Sequence, residues 1–497
     1  MTSSKRLKIL FVTSELFPFM KTGGLADVSA ALPQMLTELG HEVRILVPKY
    51  GAIDSRKYKI HEVVRLKDIS VKIGEKDVIF SLRSSFLPSQ RVRVQIYFLD
   101  NQEYFGSRKS LYTDPMSGLD YKDNDERFIL LAKSVFQLIK LLGWVPDIIH
   151  SNDWQCGLVP AYHKNMFANE SPFDAIKNIF TIHNLSYQGI FPESTFEKTE
   201  LPKTLANDKH SFLNGKFNFL KNGILYADYL TTVSEGYAKE IVAKKEVGMD
   251  LQPCLAKRKN TLTGIINGID TSVWNPQTDK FIPHKFSLET IAKKLDNKKI
   301  LVERFGLHFD ETIPVIGIIS RLYDFKGIDL IVEAFEELMK MKVQIVLLGT
   351  GDKKFNTIFE KLTKKHSDKF ASYLGFNDDL AHLIEAGSDM LLMPSQFEPC
   401  GLNQMYSLVY GTIPIVRETG GLGDTVFAFD EKTGEGNGFV FQKYESAALL
   451  KEVKRAVKLF QEQKLWAKII KNGMKSDFSW KSSAKKYIEL YKTVLSI

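Results

Sequence analysis

The feature that most constrains the fold is an alternation of short apolar runs, rich in β-branched residues, with longer amphipathic segments. Most of the short runs are apolar at every position, which is typical of parallel strands covered by helices on both faces. A strand followed by a helix, repeated many times, indicates βαβ units and an α/β protein. The predicted strands are Lys8–Thr13, Glu42–Val47, Arg93–Leu99, Asp147–His150, Asn178–Ile182, Tyr229–Val233, Leu262–Ile266, Pro314–Ser320, Val343–Leu348, Ala371–Leu374, Asp389–Pro394 and Ile413–Val416.

The series of strands restarts near residue 314, after a polar stretch at 271–300. A chain of 497 residues is also longer than one hydrophobic core usually serves. We therefore predict two doubly wound, Rossmann-like α/β domains that face an interdomain cleft. The first domain spans residues 1–260 and the second spans 261–480, and a C-terminal helix at 481–497 is expected to pack back on the first domain.

Composition and net charge indicate which kinds of molecule the protein binds and in which compartment it is found. The 67 basic and 59 acidic residues give a net charge of +8 and are spread along the chain, which favours an anionic small molecule or a polysaccharide over nucleic acid. Cys156, Cys254 and Cys400 are far apart and form no CxxC pair, so we expect a reducing cytoplasm. The first strand begins near residue 7, which leaves no room for a signal peptide, and no apolar run is long enough to cross a membrane.

Polar motifs follow the predicted strands at the point where each strand ends. Open α/β sheets bind ligands beyond the carboxyl ends of their strands, where helix N-termini gather. One such loop alone is ordinary, but eight of them from two domains indicate a binding cleft. The motifs are KTGG at 21–24, HSNDW at 150–154, HNLSYQG at 183–189, NGID at 267–270, SRLYDFKG at 320–327, GTGD at 349–352, SQFEPCGLNQMY at 395–406 and RETGGLGD at 417–424.

Two kinds of feature in these loops suit a phosphate. Arg321 and Lys326 lie at the end of one strand, where a guanidinium and an ammonium can hold an anion; the alternative is a pair of solvated surface cations. The Gly-Gly pairs of KTGG and TGGL can bring backbone N–H groups close to phosphate oxygens, or can simply form tight turns. No GxxxxGK[ST] and no GxGxxG after a strand occurs, which argues against P-loop and typical dinucleotide-binding proteins.

Carboxylates and a histidine at strand ends are candidates for sugar chemistry. Glu398 can accept hydrogen bonds from sugar hydroxyls, or can serve as an acidic residue at a helix N-terminus. Asp153 and His183 also end strands, and for them the alternative is an ordinary role in capping or loop structure. The DxD sequence at 123–125 precedes a helical segment, so we expect helix capping there rather than a metal site. We expect neither a metal nor a cofactor.

These motifs together resemble those of the bacterial-type glycogen synthases and the starch synthases, which are retaining glycosyltransferases of the GT-B fold. The resemblance covers essentially the whole chain and is most specific in its last block. It implies transfer of glucose from ADP-glucose to the non-reducing end of an α-1,4-glucan such as glycogen. The motifs that carry it are KTGGLADV, HSNDWQ, FTIHNLSYQG, TVSEGY, GIINGID with VWNP, SRLYDFKG and PSQFEPCGLNQMYSLVYGTIPIVRETGGLGDTV.

The resemblance implies five catalytic residues. Arg321 and Lys326 are expected to hold the distal phosphate and to stabilise the leaving diphosphate. His183 is expected beside the glucosyl group, and Asp153 is expected to orient glucose and the acceptor. Glu398 is expected to hydrogen-bond to glucose hydroxyls.

The resemblance also implies a set of residues around the nucleotide sugar. Tyr406 stands where many GT-B enzymes have a second glutamate, although the synthases generally have tyrosine there as well. Phe376 replaces the tyrosine expected to stack on adenine, which keeps the stacking and loses the hydroxyl. The expected nucleotide-sugar-binding residues are Lys21, Gly23, Gly24, Asn267, Phe376, Cys400, Gly401, Leu402, Tyr406, Thr419, Gly420 and Gly421.

Retention of configuration is expected to come from same-face attack guided by the leaving phosphate, because the motifs offer no obvious carboxylate nucleophile. Closure of the two domains would exclude water. Other hypotheses remain open: a glucosyltransferase that uses UDP-glucose, a sucrose-type synthase with a small acceptor, a non-catalytic glucan-binding subunit, or a phosphorylase with pyridoxal phosphate. The sequence leaves the oligomeric state open.

Overall fold

The structure is a computed structural model that describes residues 6–89 and 91–496. It divides into two compact units, one formed by residues up to 233, 238–265 and those from 480 onward, the other by 234–237 and 266–479. The outer ends of the predicted segments 1–260 and 481–497 lie outside the described residues. No helix in the described part of the chain is both long enough and apolar enough to cross a bilayer.

The first unit is built on one large, mostly parallel sheet. The strands of this sheet are β1 (Lys8–Val12), β2 (Glu42–Pro48), β3 (His61–Glu62), β4 (Ile69–Ile73), β5 (Lys76–Phe86), β6 (Gln95–Asp100), β7 (Ile148–Asn152), β8 (Lys177–Ile182), β12 (Tyr229–Thr232) and β13 (Leu262–Gly264). Three short strands, β9 (Ile190–Phe191), β10 (Phe212–Leu213) and β11 (Lys216–Asn218), form a separate antiparallel sheet. The helices of the unit are α1 (Gly24–Glu38), α2 (Asn124–Leu142), α3 (Leu158–Tyr162), α4 (Phe219–Tyr226), α5 (Glu235–Ala243), which begins in the second unit, α6 (Lys245–Gly248), α7 (Gln252–Lys257) and α16 (Trp480–Ser496).

The strand order of this sheet is β13-β12-β8-β7-β1-β2-β6-β5-β3, with β4 paired to β5. The strands from β13 to β6 are parallel, whereas β3, β4 and β5 form an antiparallel extension where the sequence is less regular. The chain passes from β1 to β2 on one side and later places β7 on the other side of β1. The loops after β1 and β7 therefore flank a topological switch point, where sheets of this class bind ligands.

The second unit has a smaller sheet of parallel strands. Its strands are β14 (Val315–Ile319), β15 (Gln344–Gly349), β16 (Phe370–Leu374), β17 (Met390–Met393), β18 (Ile413–Arg417) and β19 (Phe439–Phe441). Its helices are α8 (Lys294–Arg304), α9 (Ile328–Met339), α10 (Lys353–Lys365), α11 (Asp378–Gly387), α12 (Asn403–Val409), α13 (Gly420–Thr425), α14 (Ser446–Phe460) and α15 (Gln463–Met474). The strand order β16-β15-β14-β17-β18-β19 places the switch point between β14 and β17.

The apolar runs form these strands because both faces of each sheet are covered. β15 is buried at every position, and β14 at all but its last. Helix α9 buries apolar residues at helical spacing, including Ile331, Phe335 and Leu338, in the core of its unit. The predicted class of two doubly wound α/β domains is thereby confirmed.

The segment at 123–125 differs from its prediction in detail. Helix α2 begins there, but Asp123 makes no capping hydrogen bond and instead forms an ion pair with Arg108 at 2.5 Å. Asp125 accepts hydrogen bonds from Thr195 and Lys198, both at 2.8 Å. The expected side-chain cap was wrong, because both aspartates are engaged by neighbouring side chains.

Candidate active site

A cavity of about 160 Å³ lies at the switch point of the second unit, beyond the carboxyl ends of β14 and β17. Five of the predicted site residues line it, and they come from two loops that are distant in sequence. Parallel strands bring such loops together because their carboxyl ends lie at one edge of the sheet. The predicted residues that line the cavity are Arg321, Lys326, Glu398, Gly401 and Leu402.

Lys326 and Glu398 form an ion pair inside this cavity. The Nζ of Lys326 lies 2.5 Å from Oε2 of Glu398, whose side chain is 8% exposed. Ser395 donates a hydrogen bond of 3.1 Å to the same carboxylate oxygen. Lys326 ends a short 3-10 turn, and Gly327 follows at φ 72°, where a Cβ would lie 2.1 Å from the Pro394 carbonyl oxygen. The close approach of these two loops therefore places the lysine beside the glutamate.

Arg321 is the other cation of the cavity, and its setting differs from that of Lys326. Its side chain is exposed and makes no ion pair within residues 6–89 and 91–496. Its guanidinium carbon lies 5.9 Å from the centre of the Phe325 ring. An exposed guanidinium at the mouth of a cavity retains its full capacity to bind an anion in two-point geometry.

The TGGL turn, residues 419–422, supports the loop that carries Glu398. Thr419 precedes the first helical residue of α13, and Gly420 has φ 44°. The N–H of Gly421 donates to the Glu398 carbonyl oxygen at 3.0 Å. A Cβ on Gly420 would lie 2.1 Å from that same oxygen, so the turn packs directly on the glutamate loop.

Cys400 and Asn267 adjoin each other behind the cavity. Burial raises the pKa of the Cys400 thiol to about 12, although a backbone hydrogen bond from Asn267 acts in the opposite direction. Asn267 is itself buried, and its Oδ1 has no hydrogen-bond partner among the described residues. Gly401 follows at φ 73°, a conformation that favours glycine.

Tyr406 and Phe376 are the two aromatic residues predicted for the nucleoside. The Tyr406 ring stacks on Trp274, with ring centres 3.9 Å apart and ring planes 9° apart. Phe376 follows β16 and is 84% exposed, and it does not line the cavity. One predicted aromatic residue is thus fixed by its neighbours, whereas the other presents its face to solvent.

In the first unit, the KTGG turn, residues 21–24, is held by a carboxylate that the sequence interpretation missed. Glu15 is buried, and its Oε2 accepts the backbone N–H groups of Thr22 at 2.7 Å and Gly23 at 3.3 Å. Its Oε1 accepts the hydroxyls of Thr22 at 2.5 Å and Tyr112 at 2.8 Å. Glu15 lies in the loop after β1, and that position was the available signal.

The side of the KTGG turn away from Glu15 is open. Lys21 forms an exposed ion pair with Asp27 at 2.7 Å. A Cβ placed on Gly23 or Gly24 would meet no atom of the described residues within 4 Å. The packing of the unit therefore does not itself require glycine at these two positions.

Asp153 follows β7 in a strained backbone conformation, with φ 55° and ψ 179°. Such values are close to a region otherwise almost restricted to glycine, and they concentrate at functional sites. Asp153 Oδ1 accepts the backbone N–H of His183 at 2.7 Å. Burial, together with repulsion from Glu15, raises the pKa of the Asp153 carboxyl to about 7. Backbone hydrogen bonds from His183 and Asn184 lower the same pKa and only partly offset this rise.

His183 is the neighbour of Asp153 after β8, and it is neutral at physiological pH. Burial lowers its pKa to about 3. Its Nε2 lies 3.0 Å from Oδ1 of Asn152, whose amide nitrogen donates to the Val12 carbonyl oxygen. Because the amide oxygen faces the ring, the proton of the imidazole is on Nε2.

Asp153 and the KTGG turn thus lie in loops at the switch point of the first unit, and Arg321, Lys326 and Glu398 lie at that of the second unit, whereas Phe376 lies outside the cavity. Asp153 and His183 are joined by a hydrogen bond, and Glu15 connects Asp153 electrostatically to the KTGG turn. Among the described residues, no three His, Cys, Asp or Glu side chains cluster in a way that could hold a metal ion.

Comparisons with known proteins cover the whole chain. Residues 8–257 match the family described as starch synthase catalytic domain, and residues 300–476 match the glycosyl transferases group 1 family. The chain is 43% identical over 493 residues to the glycogen synthase of Thermosipho africanus, covering 99% of each chain. It is 42% identical over 496 residues to glycogen synthase 1 of Methylococcus capsulatus, covering 99% of this chain and 97% of that one. Among solved structures, the catalytic domain of starch synthase IV from Arabidopsis thaliana, bound to ADP and acarbose, is similar at a TM-score of 0.87 and 31% identity, covering 99% of this chain and 100% of that one.

Proposed function

The chain belongs to the family of glycogen synthases and starch synthases, and from that premise we propose how its residues transfer glucose from ADP-glucose to the non-reducing end of an α-1,4-glucan. The resemblance found in the motifs and the GT-B fold expected from it are confirmed by full-length relatives and by the structural match. The enzyme is a retaining glycosyltransferase with a nucleotide-sugar donor and a glucan acceptor.

The observation that carries the proposal is the cavity of the second unit with its two unlike cations. Breaking the bond between glucose and the diphosphate places negative charge on the leaving group. Arg321, exposed and without an ion pair in the described residues, binds that diphosphate in two-point geometry. Lys326 adds a point charge beside it, and loss of one such preorganised donor typically costs about 10²–10³ in rate.

Glu398 has two tasks in this arrangement. Its carboxylate fixes the Lys326 ammonium at 2.5 Å, and Ser395 fixes the carboxylate in turn. Its oxygens accept hydrogen bonds from glucose hydroxyls when the donor is bound. A lysine held between a carboxylate and a phosphate is already oriented before the bond breaks, so little reorganisation accompanies the reaction.

The first unit supplies groups suited to the sugar rather than to the phosphates. His183 is a neutral imidazole with its proton on Nε2, so Nδ1 can accept a hydrogen bond from a sugar hydroxyl. Asp153 has a pKa of about 7, which lets its carboxyl donate or accept a hydrogen bond near neutral pH. We assign His183 to the glucosyl group and Asp153 to the orientation of glucose and acceptor, and Lys21 to the donor.

The stereochemical course follows from the absence of an assigned nucleophile. The acceptor hydroxyl attacks the anomeric carbon from the face that the diphosphate leaves, and its proton passes to the leaving phosphate. Arg321 and Lys326 stabilise the phosphate during this exchange. The configuration at the anomeric carbon is therefore retained.

The cytoplasmic location expected from the sequence remains a prediction.

The test is the incorporation of labelled glucose into glycogen from ADP-glucose and from UDP-glucose in parallel, with a chelator present. We expect incorporation from ADP-glucose, and a Lys326→Ala variant that binds glycogen normally but turns over about 10²–10³-fold more slowly. Preferential use of UDP-glucose would contradict the donor assignment. Wild-type turnover in the variant would contradict the role of Lys326.

A further inference from the structure

Trp274 lies between two aromatic rings from different helices. Its ring centre is 3.7 Å from that of His382 on α11, with an angle of 6° between the planes. On the other face it is 3.9 Å from Tyr406 on α12, at 9°. We call these three parallel rings the Trp274 stack. The orientation of Tyr406 is thus set by a residue that is more than a hundred positions away in sequence.

The far end of the Trp274 stack is fixed by buried hydrogen bonds. The Nδ1 of His382 lies 2.7 Å from Oδ2 of Asp279, and Tyr410 donates its hydroxyl to the same oxygen at 2.5 Å. Asp279 and His382 are both buried. An imidazole bound to a buried carboxylate cannot rotate without losing that bond, so the His382 ring is a rigid base for Trp274.

The near end of the stack is Tyr406, on the helix that begins beside the cavity of the second unit. Leu402 and Asn403 line that cavity, and Tyr406 lies one helical turn further along α12, on the same partly exposed face. Trp274 also closes the turn after the NGID motif, since its backbone N–H donates to the Asp270 carbonyl oxygen at 2.8 Å. Asn267 of that motif reaches the Cys400 thiol behind the same cavity. Trp274 therefore connects two of the nucleotide-sugar-binding residues assigned above.

We propose that Trp274 is a positioning residue for the nucleoside part of the donor, and that it acts by holding the ring of Tyr406 parallel to its own. The proposal rests on the function given above and on the expectation from the sequence that Tyr406 adjoins the nucleotide sugar. Loss of the indole removes the stacking contact that holds the Tyr406 ring parallel to it, so more of the ordering of that ring must accompany nucleoside binding. The chemistry at the phosphates is expected to be unaffected, because Trp274 does not line the cavity that contains Arg321 and Lys326.

The experiment compares Trp274→Leu with Trp274→Phe in the full-length enzyme. We expect Trp274→Leu to raise the KM for ADP-glucose and the Kd for ADP by about three- to tenfold, the range of one aromatic stacking contact. The KM for glycogen and the kcat are expected to stay within about twofold of wild type. Trp274→Phe retains a ring between His382 and Tyr406 and is expected to recover most of the affinity for ADP.

Phe281→Leu is the matched control. Its ring packs against His382, with centres 4.7 Å apart at 45°, but it is not part of the Trp274 stack. A general loosening of this region would weaken ADP binding equally in Phe281→Leu and Trp274→Leu, and that result would overturn the proposal. So would a Trp274→Leu variant whose affinity for ADP is unchanged.

A double variant, Trp274→Leu with Tyr406→Leu, tests whether the effect passes through Tyr406. We expect it to bind ADP no more weakly than Tyr406→Leu alone, whereas additive losses would overturn the proposed route. ADP binding is measured by calorimetry and needs no turnover. If wild type binds ADP but transfers no glucose, the proposed function fails while the positioning role is still decided by these Kd values.

Discussion

Two Gly-Gly turns of this chain look alike in sequence, and they differ in what faces their missing side chains. In the TGGL turn of the second unit, a Cβ on Gly421 would lie 2.0 Å from the backbone carbonyl oxygen of Cys400. In the KTGG turn of the first unit, a Cβ on either glycine would meet no described atom within 4 Å. One turn is filled by the protein's own backbone, and the other borders open space.

The difference separates glycines that the packing of the protein requires from glycines that it does not. The TGGL turn needs glycine because α13 begins against the loop that carries Glu398, and any side chain would push that loop away. The KTGG turn is held from behind by Glu15, and its front is free for a ligand to approach closely. The same dipeptide thus supports the Glu398 loop in one unit, whereas in the other we propose that it takes part in donor binding.

Gly421→Ala should have the largest effect on stability. The new methyl group meets backbone atoms of Cys400, which cannot move aside as a flexible side chain can, and we expect a loss of about 3 kcal/mol. Urea denaturation followed by circular dichroism measures this loss. Gly423→Ala in the same helix is the control, because its Cβ would meet only the Glu418 side chain at 3.4 Å. Equal stability of the two variants would remove the contrast between the turns.

Asp153→Asn tests how the charge of a carboxylate in the first unit, rather than its packing, affects stability. Because its folded pKa of about 7 lies above the usual 3.8, the folded state holds a proton that the unfolded state has lost between these values. Stability therefore falls as the pH rises through that window, and an uncharged amide avoids the loss. Because the Asp153 side chain is partly exposed, we expect Asp153→Asn to raise the free energy of unfolding at pH 8 by only about 2 kcal/mol. This corresponds to a Tm about 5 °C above that of wild type.

Thermal melts of wild type and Asp153→Asn at a lower pH are the control for this prediction. Toward pH 4 the unfolded wild-type chain also begins to take up this proton, so the Tm difference should shrink. A constant difference between pH 4 and pH 8 would mean that the substitution acts by packing and that the Asp153 carboxyl does not titrate near 7. Glucose transfer by Asp153→Asn should fall at both pH values if this carboxyl orients the substrates.

Glu15→Ala should destabilise the KTGG turn specifically. Two backbone N–H groups lose their acceptor, at a cost of about 1–2 kcal/mol, and glucose transfer should fall because the turn is no longer held. Glu15→Gln is the matched control. Its amide oxygen can replace Oε2 for the two N–H groups, while its NH₂ group faces the hydroxyls of Thr22 and Tyr112, which can accept. Hydrogen exchange at Thr22 and Gly23 should therefore be fast in Glu15→Ala and slow in Glu15→Gln.

A feature of this protein could be predicted from its sequence where the residues that produce it are close together in the chain. The strands were predictable because every residue of a run such as β15 is buried, and that leaves a local apolar signature. The strand-end positions of Arg321, Lys326 and Glu398 were likewise predictable, because ligand loops follow strands in this class of fold. Their gathering in one cavity follows from strand order alone.

The roles of the two glycine turns could not be read in the same way. What lies opposite a missing Cβ is set by tertiary contact: Cys400 faces Gly421 from another loop, and nothing in the letters TGGL indicates it. The task of Glu15 was missed for the same reason, because only the fold brings two backbone N–H groups and the hydroxyls of Thr22 and Tyr112 to its carboxylate. The Trp274 stack joins three separate segments and leaves no local pattern either.

Gly24→Ala should have the smallest effect on stability and is the most direct test of the contrast. Gly24 is the first residue of α1, its Cβ has no described neighbour within 4 Å, and alanine favours a helix over glycine by about 1 kcal/mol. We therefore expect a Tm equal to or slightly above that of wild type. The kcat/KM for ADP-glucose should nevertheless fall by about tenfold, because the methyl group occupies the space that the donor approaches. If transfer were as fast as in wild type, the open face of the KTGG turn would have no part in donor binding, and both Gly-Gly turns would be structural.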